Sequence, residues 1–421
     1  MIVELINTGS ELMLGRTLNT HQQWLCRRLA DLGYVVNRQV AIADNPHDII
    51  HNVREALCRA DLVITTGGLG PTSDDLTREL IADLLERELR EDANVLAHIS
   101  EFFKARKRAM PDRVRVQAMV PEGAIVLPNP NGTAPGLAVE VRPNPYRLHR
   151  DCSWLIMLPG PPRELRPMFT DSVVPLLTLV LPPATTFICR TLRTTGVPES
   201  IVEEKICEPL RPFTTSGLEL GYCARVGQVD VRLVARGEKA AQLVADAETI
   251  VRQHLDTAIF GADDDELETL IVRTMTERKQ TLAIAESCTG GSIANRITNV
   301  PGASAILLAG LVTYSNEAKQ KFLDVRAETL AQHGAVSEAV AREMAEGARQ
   351  RTGAEYAVSV TGIAGPSGGT ETKPVGTVFI GLAGPAGSSV HKHLNPFDRE
   401  TFKHVTTQQA LDHLRRMACG G

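Results

Sequence analysis

TLAIAESCTGGSIANRIT, Thr281 to Thr298, reads as a single strand–turn–helix unit. The apolar run TLAIA ends in Glu286, Ser287, Cys288 and Thr289 follow, and Gly290 and Gly291 precede the helical pattern SIANRIT. A short apolar run closed by glycines and followed by a helix is the pattern of a buried strand in a βα unit. A serine at that junction carries its hydroxyl at the strand's carboxyl end, beside backbone N–H groups, where acyl-transfer chemistry can be done. Serine and threonine are also ordinary helix caps, so spacing alone leaves both readings open.

The same alternation continues outward on both sides. After the acidic stretch GADDDELET, LETLIVRTMTERK reads as a helix, SAILLAGLVTYS, YAVSVTGIAG and GTVFIGLAG as strands, and EAVAREMAEGARQRTG and FDRETFKHVTTQQALDHLRRM as helices. Towards the N-terminus, IVELINTG, YVVNRQVAI and DLVITTGG are strands separated by the helical patterns THQQWLCRRLADLGY and DIIHNVREALCRA. Strands alternating with helices predict largely parallel sheets covered on both faces, with ligands at the strands' carboxyl ends. Between these regions TFICRTLRTTG, PESIVEEKICEPL, the hairpin LELGYCARVG–QVDVRLVARG and the helix EKAAQLVADAETIVRQHL make a small β-α-β-β-α unit. The expected organisation is therefore multi-domain α/β: segments 1–169 and 263–421 as three-layer α/β domains, joined by a small α+β segment, 170–262.

Composition agrees with this class. The 421 residues exceed one ordinary core, and 43% hydrophobic with 23% charged residues is a globular balance. A net charge of −5 and 4% aromatic residues count against a nucleic-acid groove. The one dense basic run, FKARKR from Phe103 to Arg108, reads as a solvated helix face or as a contact to a phosphate or a partner subunit. Eight scattered cysteines with no CxxC pair suggest neither zinc nor a dithiol site, and fit a reducing cytoplasm. The opening MIVELINTGSELMLG lacks a signal-peptide pattern, so a cytoplasmic location is expected.

In segment 1–169 three loops carry chemistry: TGSEL (Thr8 to Leu12), TTGGLGPTSDDLT (Thr65 to Thr77) and LPGPPREL (Leu158 to Leu165). Glycines at strand ends let backbone N–H groups approach an anion. Thr72 and Ser73 add hydroxyls, and Asp74 and Asp75 add carboxylates suited to a hydrated divalent cation. Asp74 and Asp75 are equally placed to cap the helix LTRELIADLLE.

In segment 263–421 the polar residues fall in four loops: ESCTGG, TYSNEAKQ, HGAVSE and TGIAGPSGGTETKPVGT. A nucleophilic serine needs a base, and only His333, in the third loop, is a histidine. Lys319 is the better candidate, because burial or a neighbouring charge lowers a lysine's pKa. The alternative for Lys319 is a solvent-exposed position. Tyr314 is placed to relay a proton or orient the pair, or else to be a core residue with a wet hydroxyl. The N–H groups of Thr289, Gly290 and Gly291 are candidates for an oxyanion hole, and Cys288 reads as a small buried hydrophobe rather than a nucleophile.

These motifs together resemble the CinA (competence/damage-inducible protein A) family over nearly the whole chain. TGSEL, GGLGPTSDDLT, NPNGTAPG and LPGPPRE are similar to its molybdopterin-binding-like domain, which carries a divalent-metal-dependent ADP-ribose pyrophosphatase activity. AESCTGG, VTYSNEAK, HGAVSE, SVTGIAGPSGG and KPVGTV are similar to its C-terminal nicotinamide mononucleotide (NMN) deamidase domain. The resemblance implies a KH-like middle unit and a homodimer. In the first segment it implies a nucleotide site at Gly67, Gly68, Gly70, Thr72, Ser73, Asn131, Thr133 and Pro161, with Glu164 in its wall. Glu11, Asp74 and Asp75 would hold Mg, Mn or Co. In the last segment it implies Ser287 as nucleophile activated by Lys319 and Tyr314, with no cofactor. Thr289, Gly290, Gly291, Asn316, Gly334, Thr361, Gly362, Gly365 and Arg399 would bind NMN. The family's last helix has Gly-Asp-Arg with an arginine four residues on; here Phe397 replaces the glycine, Asp398 and Arg399 remain, and Lys403 holds the later place. A bifunctional enzyme of pyridine nucleotide salvage is thus expected. The alternatives are a non-catalytic pterin or nucleotide binder and a competence or DNA-damage accessory protein.

Overall fold

The computed structural model describes residues 1–148, 152–183 and 185–420. Residues 149–151, 184 and 421, which belong to the three expected segments, lie outside the described residues. The chain divides into two compact units, Met1–Ile188 and Cys189–Gly421.

The first unit is built on strands β1 (Val3–Thr8), β2 (Val36–Ile42), β3 (Leu62–Thr66), β4 (Leu89–Glu91), β5 (Met119–Pro121), β6 (Ile125–Leu127), β7 (Gly136–Val141) and β8 (Ser153–Leu158). Six of them form one sheet in the order β2-β1-β3-β8-β7-β6, while β4 and β5 pair separately. β1, β2, β3 and β8 run parallel, and β6 and β7 are antiparallel additions at one edge. The helices are α1 (Ser10–Met13), α2 (Thr20–Asp31), α3 (Pro46–Leu57), α4 (Thr77–Leu84), α5 (Ala93–Ala105), α6 (Pro162–Met168) and α7 (Val174–Val180). Every residue of β1, β3 and β8 is buried, as expected for strands covered on both faces. Successive side chains therefore enter different cores. Ile6 and Val63 pack with α3, α4 and α5, whereas Val3, Leu5, Leu62 and Ile64 pack with α2, α6 and α7.

The second unit opens with β9 (Phe187–Thr195), α8 (Glu199–Thr215), β10 (Glu219–Arg225), β11 (Gln228–Arg236), α9 (Ala240–Leu255) and β12 (Ile259–Ala262). The hairpin β10–β11 is as expected, and the sheet order is β10-β11-β9-β12. The four-residue β12, too short to stand out in the sequence, completes the sheet by pairing antiparallel to β9. The rest of the unit comprises α10 (Leu267–Glu277), β13 (Leu282–Glu286), α11 (Ser292–Thr298), β14 (Leu307–Val312), α12 (Asn316–Leu323), α13 (Ala327–His333), α14 (Glu338–Thr352), β15 (Tyr356–Gly362), β16 (Thr377–Gly384), β17 (Gly387–Leu394) and α15 (Arg399–Arg415). Its sheet runs β14-β13-β15-β16-β17, with β13 parallel to β14 and β15, and β16 and β17 antiparallel.

The alternation along β13 explains the layering. Leu282 and Ile284 face a large-residue core with α10, α11 and α15. Ala283 and Ala285, with Ala357 and Ala383, face α12, α13 and α14, and such small residues let α14 lie close to the sheet. Closest of all is Gly347 of α14, where an added Cβ would stand 1.8 Å from the Leu323 carbonyl oxygen at the end of α12. Among the described residues no helix is long and apolar enough to cross a membrane.

Candidate functional sites

In the first unit, the loops that follow β1, β3 and β8 meet at the carboxyl edge of the sheet. Gly9 N–H donates to Ile42 O at 3.0 Å, and Gly67 N–H donates to Leu158 O at 2.9 Å, tying the three loops to the strand ends. Gly67 and Gly68 have φ of 98° and 68°, and a Cβ on either would collide with Thr8 or Thr77. Glycine is required at both. The loops enclose a cavity of about 380 Å³ lined by Glu11, Gly67, Gly68, Gly70, Asp74, Asp75, Thr133, Pro161 and Glu164.

Asp74 and Asp75 do not cap α4, whose first residue follows Leu76 with no side-chain cap. They fold the loop on itself instead. Asp75 Oδ2 accepts from the Thr72 N–H at 3.0 Å, and the Thr72 hydroxyl donates to both carboxylates. That hydroxyl holds the Asp74 carboxyl below its ordinary range. Thr72, Ser73 and Asn131 are exposed, and none of the three lines the cavity. The neighbouring Asn129, buried and also outside the cavity lining, holds Glu164 in place: its Nδ2 donates to Glu164 Oε2 at 2.9 Å and to Ala134 O at 2.7 Å.

Glu11, Asp44, Asp74 and Asp75 border one cavity, yet among the described residues no three His, Cys, Asp or Glu side chains are gathered as a ligand cluster. The donor chemistry fits a hard cation that keeps most of its water and is held jointly by one or two carboxylates and a ligand's phosphates. It does not fit a closed protein cage. Asp44, which accepts from the Ser10 N–H at 2.8 Å, and Gln117 are lining residues that the sequence reading passed over. Asp44 was findable as an acid just past a strand's carboxyl end; Gln117 carries no such signal.

In the second unit, Ser287 sits just past β13, its N–H donating to Val360 O at 3.0 Å, and is 8% exposed. Lys319, from α12, reaches it: Nζ lies 3.1 Å from Ser287 Oγ, 2.8 Å from Thr313 O and 3.3 Å from Tyr314 O. Lys319 is 1% exposed, so burial pushes its pKa below the ordinary lysine range. A neutral amine has two N–H donors and one lone pair. Two carbonyls and one hydroxyl are the partners that such an amine would take.

The surroundings differ in part from expectation. Glu286, buried, accepts from the N–H groups of Gly291 (2.9 Å), Ile293 (3.2 Å) and Ala294 (2.9 Å). It is the acidic cap of α11, a role the sequence reading did not give it. The Gly291 N–H is therefore spent, and the Gly290 N–H is spent on Ser287 O at 3.1 Å. Of the three expected oxyanion donors, only the Thr289 N–H has no such bond among the described residues. The buried Thr289 Oγ1 is also unpartnered. Ser287 itself caps nothing.

Tyr314 is exposed, and its hydroxyl meets Arg399 Nη2 at 2.8 Å rather than Ser287 or Lys319. Arg399 also donates to Gly365 O at 3.1 Å, so the structure joins Tyr314, Arg399 and the glycine loop after β15. Gly362 ends β15, and the Thr361 hydroxyl donates to Ala335 O at 2.8 Å, beside Gly334. Asn316 is exposed at the start of α12. His333 is exposed and offers its backbone oxygen to Lys373 at 2.7 Å; no bond joins it to Ser287. Burial pushes the Cys288 thiol up to about 12, so it stays protonated. Asp398 caps α15, accepting from Glu400 and Thr401 N–H groups at 3.0 and 3.1 Å, and Lys403 lies within reach of Gly290.

Three family models match the chain in this order: a probable molybdopterin binding domain over residues 4–179, the damage-inducible protein CinA KH domain over 189–261 and the CinA C-terminal domain over 264–418. A putative competence-damage inducible protein of Symbiobacterium thermophilum is 42% identical over 433 aligned residues, covering 100% of this chain and 99% of its own. One from Moorella thermoacetica is 42% identical over 414 residues, covering 98% and 97%. Among solved structures, the competence/damage inducible protein CihA from Agrobacterium tumefaciens is 42% identical over 35% of this chain and 91% of that one, with a TM-score of 0.34.

Proposed function

The chain belongs to the CinA family of competence-damage inducible proteins, and from that premise we propose that it is a two-site hydrolase of pyridine nucleotide salvage, deamidating NMN in its second unit and cleaving ADP-ribose in its first. The observation that carries the reading is the 3.1 Å approach of the buried Lys319 amine to Ser287 Oγ. A lysine kept neutral by burial takes the serine proton as Oγ attacks the carboxamide carbon. The tetrahedral oxyanion is met by the Thr289 N–H and hydroxyl. Lys319 then returns the proton to the leaving nitrogen, and ammonia departs. The resulting Ser287 ester is hydrolysed by a water that Lys319 deprotonates, giving nicotinate mononucleotide and the free serine. Arg399, which donates to Gly365 O, and Lys403, which lies beside Gly290, would face the substrate's phosphate.

In the first unit, Glu11, Asp74 and Asp75 would hold a divalent metal, which when bound would polarise a phosphate of the substrate. The N–H groups of Gly68 and Gly70 would face the diphosphate, the Gly67 N–H being held by Leu158 O, and Thr133, Pro161 and Glu164 would wall in the remainder.

Ammonia release from NMN, run beside nicotinamide and glutamine, tests the first activity; no release from NMN overturns it. Metal-stimulated AMP release from ADP-ribose tests the second. If ADP-ribose binds and is not cleaved with any of Mg, Mn or Co, the first unit is a nucleotide binder and not a pyrophosphatase.

A further inference from the structure

The unit from β9 to β12 supplies no residue to either candidate site, yet α15 is fastened to it along one stripe. Gln408, Asp412 and Arg415 lie at helical spacing on one face of α15, and all three are buried. Arg415 donates to the Thr257 carbonyl, just before β12, at 2.7 Å, and to Asp412 Oδ1 at 2.9 Å. Gln408 Nε2 donates to the Thr195 hydroxyl of β9 at 3.3 Å. The opposite face of the helix, with Phe402, Leu411 and Leu414, packs in the apolar core with Ile284 of β13 and Val358 of β15. The helix is a wall shared by the two sheets of the second unit.

Gln408 reaches further than its neighbours. Its Oε1 accepts from Arg296 Nη1 of α11 at 2.7 Å, and among the described residues this is the only hydrogen bond that joins α11 to α15. Arg296 is anchored in turn to Glu268 of α10 at 2.5 Å. The orientation of the amide follows from its partners. A guanidinium only donates, so the amide oxygen faces Arg296 and the NH₂ faces Thr195. Thr195 spends its own proton on Gly227 O at 2.9 Å and is left as an acceptor. Arg296, Gln408, Thr195 and Gly227 thus form one directional chain, donor to acceptor, of the buried kind that specifies a single arrangement.

Both helices of that chain lead to Ser287. α11 begins directly after Gly291 and is capped by Glu286, while α15 begins with Arg399 and carries Lys403. Between them lies a cavity of about 270 Å³ lined by Ser292, Asn295, Arg296, Lys403 and Thr407. Lys403 Nζ stands 3.6 Å from where a Cβ on Gly290 would be. Across a cavity, close packing does not fix the spacing of two helices; the Arg296–Gln408 bond does.

We propose that the β9–β12 unit is a working part of the deamidase, and that Gln408 is the positioning residue through which it acts, tying Thr195 to Arg296 and so setting where Lys403 and Arg399 stand relative to the Ser287 turn. The inference rests on the deamidase reading of the second unit. Ser287 follows β13 and Lys319 belongs to α12, and the chain touches neither. The tie therefore governs substrate capture and not proton transfer.

The test uses the full chain with NMN. Thr195→Val and Gln408→Met each remove one link and keep the side chain's volume. Each should raise KM by about three- to tenfold, the range of coupling through a shared network, with kcat and the pH midpoint of the reaction unchanged. Because both cut the same chain, the double variant should raise KM no further than the larger single one. The retained kcat also reports that the variants are folded. A Thr195→Val chain with the wild-type KM overturns the proposal, as do additive effects in the double variant or a fall in kcat that matches the rise in KM. Release of no ammonia from NMN by the wild-type chain overturns the deamidase reading, and the proposal with it.

Discussion

At the level of single residues, the second site depends on how Lys319 is held. Its amine is buried, and desolvation favours the neutral form, which is the form that can take the proton of Ser287. The rate of NMN deamidation should therefore rise with pH as Lys319 deprotonates, with the midpoint below the ordinary lysine value near 10.5. A pH profile of kcat/KM measures this, and a midpoint at or above the ordinary value would remove Lys319 as the base. Ser287→Ala should abolish ammonia release while leaving ADP-ribose cleavage unchanged. Lys319→Met should lower kcat by about 10²–10⁴. In the first unit, Asp74→Asn with Asp75→Asn should remove metal stimulation of AMP release, and a metal titration identical to that of the parent would reduce those carboxylates to loop-folding groups.

Among elements, the site is kept in place by two contacts that have no catalytic chemistry of their own. Glu286 gathers three N–H groups at the start of α11, and replacing it with Ala leaves those donors buried. The expected cost is about 1–3 kcal/mol, read as a lower midpoint in denaturant unfolding. Gly347 is the second. Alanine is favoured over glycine inside a helix by about 1 kcal/mol, but here its Cβ would meet the Leu323 carbonyl at 1.8 Å, where nothing flexible can yield. Overlap wins, so Gly347→Ala should destabilise the chain. It should also displace the end of α12, and with it Lys319, lowering kcat more than KM changes. Much at this scale was legible in the sequence. The βα alternation and the glycine loops carry their own periodicity, which puts Ser287 at a strand–helix turn; that Lys319 is buried against it, rather than exposed, is what the structure adds. What was hidden had a physical reason. β17 is a half-exposed polar edge strand, GSSVHKHL, with no apolar run to mark it. The direction of the Tyr314 hydroxyl, the spending of the Gly290 and Gly291 N–H groups, and the absence of Asn131 from the cavity lining depend on side-chain geometry that no spacing rule contains.

For the whole molecule, one contribution to the response to acid comes from a histidine cluster on β17 and α15. His391 and His393 of β17 meet His413 of α15, the first by stacking at 4.0 Å between ring centroids and the second through Nε2 atoms 2.8 Å apart. Burial lowers all three, His413 to about 3, and Arg416 adds to the effect on His391 and His413. In the unfolded chain these rings take protons near pH 6.5. Between that pH and about 3 the unfolded state binds more protons than the folded one, so stability falls as pH falls through this window and is constant above it. Urea midpoints at pH 7.5 and pH 5 should differ in that direction, and His413→Phe should flatten the difference. A midpoint that rises on acidification would contradict it.

Cys288 stands next to the proposed nucleophile, yet its thiol is buried and held protonated up to about pH 12. Thiolates are what alkylating agents and peroxides attack. The family's elbow thus places sulfur beside the reacting oxygen in a form that is chemically silent. Hydrolysis at Ser287 should survive iodoacetamide and millimolar hydrogen peroxide that would silence a cysteine hydrolase. In a cell under oxidant attack, when such enzymes stop, this one would keep turning over.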